Sequence, residues 1–456
     1  MAKVVKSQRA YAVNPLKSSA PLGAALAFLG IERSVPLFHG SQGCTSLALV
    51  LAVRHFKEAI PIQTTALDEV ATILGGFDNL EEALVNVVQR RQPAFIGIAS
   101  TALVETRGED IAGDLALIRT RQAAALQGTA IVFASTPDFE GAIEDGWAAA
   151  TSAVIQALVP TGVVRNPQSR KLNVLPSVHQ SAADLEELRD LIESFGLCPV
   201  FLPDISTSLD GHVPDEYQGT SLGGTSLAAI GQMADARHIL AIGEHMRTPA
   251  LTLAERIAVS FTLLPSVTGL AGSDALVGLL STLSGVTAPE RVRRQRSQLL
   301  DAMLDGHFWF SGRRIAIGSD PDLLYPLAKL VHSLGAEVVS AVASTGNSAV
   351  LQEVPCATVM VSDLGELEES AARLQADLLV THSHGRQAAA RLGIPLFRVG
   401  FPIFDRLGAQ ARCSVGYRGT RQLIYELANA LMAEMPEHGQ EKSSTSASAP
   451  IVESWA

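Results

Sequence analysis

The segment Pro36-Leu37-Phe38-His39-Gly40-Ser41-Gln42-Gly43-Cys44-Thr45 carries the densest chemistry in the chain. Gly40 and Gly43 let the backbone come close to a bulky ligand, and Cys44, at an expected helix start, would have its thiolate favoured by the helix dipole. In form this is metal–sulfur chemistry. The plain alternative is a tight turn with an inert apolar cysteine, which is what free cysteines usually are. An iron–sulfur cluster needs about four thiolates, and the remaining cysteines stand far along the chain, at 198, 356 and 413. Cys44 could therefore supply only one ligand, to a cluster shared with another chain. Cys198 precedes an expected strand and Cys356 opens one, so both read as core packing; Cys413, in a loop before Gly416-Tyr417, also reads as structural. His382 and His384 fall at the end of an expected parallel strand, where ligands often bind, although such a pair is more often hydrogen-bonded structure. Arg291, Arg293, Arg294 and Arg296 read as a solvated helix face, with partner docking as the alternative.

These residues must be positioned by an α/β frame, because short apolar runs alternate with helical patterns along most of the length. The last third is clearest. Arg314 to Gly318 reads as a buried strand, Ser319-Asp320-Pro321 as a helix start and Gly335 as its stop. Further strands are expected at 336–342, 357–361, 377–381 and 395–399. In the middle third, strands are expected at 171–175, 199–202 and 236–242, with Ser181 and Asp184 as a capping box and Gly196 as the helix stop; residues 251–304 read as mainly helical. In the first third, strands at 94–99 and 129–134 flank a helix starting near Glu109. The expectation is three Rossmann-like domains with parallel sheets, at 1–165, 166–310 and 311–434, and a disordered Ser-rich tail at 435–456.

Composition narrows the function. The 456 residues carry a formal net charge of −11, with 47% hydrophobic and 18% charged residues. A broad basic surface for nucleic acid or anionic membrane is therefore not expected. The longest uncharged runs, 146–164 and 257–273, contain Pro and polar residues, unlike a span of about 20 apolar residues. With no signal-peptide pattern and no paired cysteines, a cytoplasmic location is expected. There is no G-x-x-x-x-G-K-[ST], no G-x-G-x-x-G after a strand, no G-x-S-x-G, no H-E-x-x-H and no C-x-x-C, which removes the common nucleotide, hydrolase and zinc readings.

Seven blocks then carry a resemblance: PLFHGSQGCT (36–45), RHFKE (54–58), STPDFEGAIEDGW (135–147), SLDGH (208–212), RQRSQLLDAMLD (294–305), GFPIFDRLG (400–408) and GYRG (416–419). From about Asn14 to Ala433 the chain resembles the nitrogenase component 1 family, and within it the branch that serves as a scaffold for assembly of the iron–molybdenum cofactor. The catalytic β subunits of that family hold an eight-iron cluster through three cysteines and a serine. Here the first position is Cys44, whereas the others align with Ile62, Ala102 and Ala142. The resemblance therefore implies Cys44 as one ligand of a 4Fe-4S cluster shared with a NifE-like partner in an α2β2 heterotetramer, with backbone around Gly40 and Gly43 beside it. It also implies a cofactor precursor held mainly by the partner, molybdenum and homocitrate insertion, and transient contacts with the nitrogenase iron protein, a NifB-like precursor donor and the MoFe protein. No independent catalytic activity is expected of this chain. Two alternatives stay open: a subunit of another enzyme of the family, such as a nitrogenase β chain or a B subunit of dark-operative protochlorophyllide reductase, and a purely structural subunit with an inert Cys44.

Overall fold

A computed structural model describes residues 1–7, 14–164, 166 and 168–433; the tail expected at 435–456 lies outside them. The strands are β1 (Lys3–Lys6), β2 (Ser34–His39), β3 (Gln63–Thr64), β4 (Phe95–Ser100), β5 (Ala130–Ala134), β6 (Lys171–Leu175), β7 (Cys198–Phe201), β8 (His238–Ile242), β9 (Phe261–Leu264), β10 (Arg314–Ser319), β11 (Glu337–Ala343), β12 (Thr358–Val361), β13 (Leu378–Thr381) and β14 (Leu396–Arg398). They form three sheets, ordered β3-β2-β4-β5, β7-β6-β8-β9 and β1-β12-β11-β10-β13-β14. The strand pairs are parallel throughout the described residues. Central strands such as β2, β4 and β8 are buried along their whole length, as parallel strands covered on both faces must be.

The expected α/β class and the parallel sheets are present, but β1, β2, β3 and β9 lie outside the strands expected. β9 lies inside the stretch read as mainly helical; four apolar residues between two helices are too few to show a strand period. β2, which carries the Cys44 loop, was not expected either, because Pro36 in its middle reads as a strand breaker. β1 pairs with β12 and so extends the third sheet, although its position in the sequence suggested the first domain. Two apolar residues flanked by lysines do not announce such a long-range pairing.

At the centre stands α1 (Ala20–Leu29), with all ten residues buried. Its all-round apolarity marks it as a core helix. It crosses the helix Ile143–Leu158 at backbone contact: a Cβ on Gly23 would come to 2.0 Å from the Ile143 carbonyl oxygen, and one on Gly146 to 1.8 Å from that of Ala20. Two glycines thus set the spacing of the two helices. The capping box expected at Ser181 is present, with the Asp184 amide donating to Ser181 Oγ and the Ser181 amide to Asp184 Oδ2, both at 3.0 Å.

Candidate cluster-binding segment

β2 runs out of its sheet at His39 and the chain turns through Gly40 and Ser41 into α2 (Gln42–Phe56). Cys44 is the third residue of that helix and is exposed. Ser41, the residue before the helix, makes no side-chain cap to the first-turn amides; its Oγ instead lies 3.5 Å from Cys44 Sγ. The helix buries Thr45, Ala48, Ala52 and Phe56. Its opposite side exposes Leu47, Val50 and Val53, and α3 (Glu69–Leu74), the next helix along the chain, exposes Val70 and Ile73. Cys44 therefore stands at the head of an uncovered apolar face.

The two glycines of the segment play different parts. A Cβ on Gly40 would meet Thr101 Oγ1 at 2.0 Å. The Gly40 amide donates to Thr65 Oγ1 at 3.1 Å, and its carbonyl accepts from Leu67 N–H at 3.0 Å. Gly40 is thus committed to packing within the chain, and its N–H already has a partner. By contrast, a Cβ on Gly43 would meet nothing within 4 Å, so nothing within the described residues requires a glycine there.

Behind the turn lies His39, fully buried. Its Nδ1 is 3.0 Å from Thr65 Oγ1 and its Nε2 3.3 Å from Glu109 Oε2, while Arg107 pairs with Glu109 at 2.5 Å. Burial lowers the His39 pKa, with Glu109 opposing it. Thr65, Thr101 and Glu109 come from three other segments, and no spacing in the sequence joins them to His39.

The remaining sequence candidates do not gather around Cys44. Cys198 opens β7 in the second sheet and is exposed, which corrects the core-packing expectation: as the first residue of the strand it lies outside the sheet's covered centre. Cys356 is half-buried beside the third sheet, its thiol pKa raised by burial. Cys413 is buried, with its thiol pushed up by burial and then by the negative Asp184 and Glu187. His382 donates from Nε2 to the Leu16 carbonyl at 3.3 Å and accepts the His384 amide on Nδ1 at 3.3 Å; both ring nitrogens are occupied structurally. Arg296 grips Asp274 with two bonds of 2.8 and 2.9 Å.

The comparisons with known proteins decide the family. Residues 19–432 match the profile described as nitrogenase component 1 type oxidoreductase. A protein of Mesorhizobium japonicum named "Nitrogenase iron-molybdenum cofactor biosynthesis protein NifN" is 55% identical over 433 residues, covering 95% of this chain and 94% of its own. Proteins of the same name from Rhizobium meliloti and Rhodobacter capsulatus are 54% and 52% identical over 94% and 95% of this chain, and 97% and 94% of theirs. Among solved structures, one titled "Nitrogenase Cp1 at pH 6.5" superposes with a TM-score of 0.89 at 29% identity, over 95% of this chain and 97% of that one. This chain belongs to the nitrogenase component 1 family.

The three positions that the resemblance sets against the other cluster ligands can now be placed. Ile62 is buried just before β3, Ala102 is half-buried at the first turn of the helix Ala102–Arg107, and Ala142 is buried at the head of the helix Ile143–Leu158. All three are hydrocarbon. Of the thiols this component 1 chain possesses, Cys44 alone lies in this segment, and it fits a group that needs a single ligand from here.

A second polar cluster, not foreseen from the sequence, knits the molecule together where segments of all three sheets meet. Glu144 pairs with His179 Nε2 at 2.7 Å and accepts the Asp322 amide at 2.9 Å, while His245 Nδ1 lies 2.5 Å from Asp322 Oδ2. Glu144, His245 and Asp322 each bring a potential metal-ligand atom within 4.8 Å of the others. The Val178 amide donates to His245 Nε2 at 3.4 Å, so the ring proton sits on Nδ1 and bridges to Asp322. Burial drives the Glu144 carboxyl well above its ordinary pKa, helped by the nearby Asp322 charge. Burial also acts upward on Asp322, but the hydrogen bonds it accepts from the ring and the amide of His245 outweigh it and leave its pKa lowered.

Proposed function

We propose that this chain is a subunit of a scaffold on which the nitrogenase iron–molybdenum cofactor is assembled, and that Cys44 gives one thiolate to a 4Fe-4S cluster shared with a NifE-like partner in an α2β2 complex. One observation carries the reading: a lone exposed thiol at a helix start, with hydrocarbon at Ile62, Ala102 and Ala142. Three thiolates must then come from another chain, since about four are needed. The name borne by its close relatives points to the same role.

The bound cluster would supply one-electron transfer during maturation. The residues of this chain would hold and shelter it. Cys44 would bind one iron as thiolate. Uncapped amides in the first turn of α2 would favour the negative charge on sulfur. The side chains of Leu47, Val50, Val70 and Ile73, covered by the partner, would exclude water. The cofactor precursor itself would sit mainly in the partner, while the iron protein, a NifB-like donor and the MoFe protein would dock transiently.

Co-expression with the NifE-like subunit tests this. Wild-type complex is expected to show the paramagnetic signal of a reduced four-iron cluster, and Cys44→Ala complex to lose most of it while the two chains still co-purify. An unchanged signal and iron content in the alanine variant contradicts the reading.

A further inference from the structure

A cavity of about 120 Å³ lies where segments of the three sheets meet, at the far end of α2, the helix that carries Cys44 in its first turn. Leu26 of α1, Phe56 of α2, Ile143, Leu327 and Phe401 give it hydrocarbon walls. Three polar groups in the lining carry its chemistry. Gln180 accepts the Ser177 amide on Oε1 at 3.0 Å, which leaves its Nε2 buried with no partner among the described residues, in a residue only 6% exposed. Gln410 donates weakly from Nε2 to the Phe56 carbonyl at 3.5 Å, and its Oε1 is likewise buried without a partner. His55 accepts the Ile403 amide on Nδ1 at 2.9 Å, so its proton is on Nε2; burial holds its pKa at about 3 and keeps the ring neutral. The cavity therefore offers two donors and one acceptor inside a mainly apolar wall, the composition expected of a small-molecule site.

The surrounding charges select what can enter. Arg412 also lines the cavity, but its Nη1 donates to the Arg398 carbonyl at 2.7 Å and its Nε pairs with Glu426 at 3.1 Å. Asp184, another lining residue, already accepts the amides of Ser181, Ser414 and Val415. One cation is thus offset by two carboxylates, and a buried anion would find no surplus positive charge. No cysteine lines the cavity, so it is not a place for an iron–sulfur group. In size it compares with engineered apolar cavities of about 150 Å³ that hold benzene. We infer that this interdomain cavity is a binding site for a compact, uncharged organic molecule bearing both a hydrogen-bond acceptor and a donor, an alcohol or primary amide on an apolar body.

The test uses the full chain in its co-purified complex, with benzyl alcohol and benzamide as probes, toluene as the apolar control and benzoate as the anionic one. Calorimetry should show saturable binding of the two polar neutral probes at one site per chain, with benzoate about tenfold weaker or undetectable. Gln180→Leu should weaken benzyl alcohol about tenfold and leave toluene unchanged, the loss expected for one buried hydrogen bond. Should that variant fail to fold, a crystal of wild type soaked in 4-bromobenzyl alcohol decides instead, since the bromine should give an anomalous peak inside the cavity. Absence of saturable binding, benzoate binding equal to the alcohol's, an unaltered Gln180→Leu profile, or ordered water alone in the soaked crystal would each overturn the inference. None of these outcomes depends on Cys44 or on the cluster.

Discussion

Gly40 and Gly43 look equivalent in the sequence, and their surroundings separate them. Gly40→Ala would force a Cβ into Thr101 and should destabilise the chain by about 1–3 kcal/mol, the usual cost of overpacking. Gly43→Ala meets open space at a helical position and should leave stability unchanged or raise it by about 0.5–1 kcal/mol. Denaturant unfolding of the two variants checks both signs, and iron lost from the Gly43 variant would report on the cluster alone. Cys44 itself was legible, because small residues, a helix start and a solitary thiol are local features. Its setting was not: Thr65, Thr101 and Glu109 reach His39 and Gly40 only through the parallel pairing of distant strands. His382 shows a further residue-scale effect. Burial, and then the neighbouring His384, hold its pKa down to about 4. Its folded-state pKa lies below the unfolded value of 6.5, so its contribution to stability is complete above 6.5 and lost as pH falls towards 4. His382→Gln should flatten that part of the stability profile, measured by denaturant titration across the window.

At the scale of elements, the strands of the last third announced themselves as continuous apolar runs punctuated by Pro and Gly, and β10 to β14 lie where those runs predict. β9 and β2 escaped because one is four residues long and the other contains Pro36. Local chemistry also placed the helix start at Ser181, while the larger role of Asp184 needed the fold: it holds the Ser414 and Val415 amides and so ties the second sheet's first helix to the last segment of the chain. Asp184→Asn would set an NH2 group against those donors and should cost about 3 kcal/mol or more, the penalty for leaving buried partners of a charged group unpaired. The apolar side of α2 carries an element-scale prediction of its own. Leu47→Glu should leave the fold of this chain unchanged, since Leu47 is 64% exposed, yet greatly reduce co-purification with the NifE-like partner. An undiminished yield of complex would show that this face is not covered by the partner.

Across the whole molecule, the sheets meet around groups that no local pattern could have joined: Glu144 lies at the start of one helix, His179 and His245 follow β6 and β8, and Asp322 lies after β10. The raised pKa of Glu144 means that its stabilising contribution is present below about 4.5, its unfolded value, and is lost as pH rises through the higher folded one. Glu144→Gln stays uncharged and keeps the acceptor for the Asp322 amide. It should therefore gain stability relative to wild type as pH rises above that window, visible as a widening difference in melting temperature. At the same scale stands the proposal that the chain is one half of a shared cluster site. The most direct measurement is cluster content of the co-purified complex, by iron analysis and electron paramagnetic resonance, for wild type, Cys44→Ser and Cys44→Ala. The expected order is wild type, then serine, whose oxygen can serve as a weaker ligand, then alanine, with the two chains co-purifying in all three. Full iron and an unaltered signal in the alanine complex would show that Cys44 is not a ligand and would contradict the account.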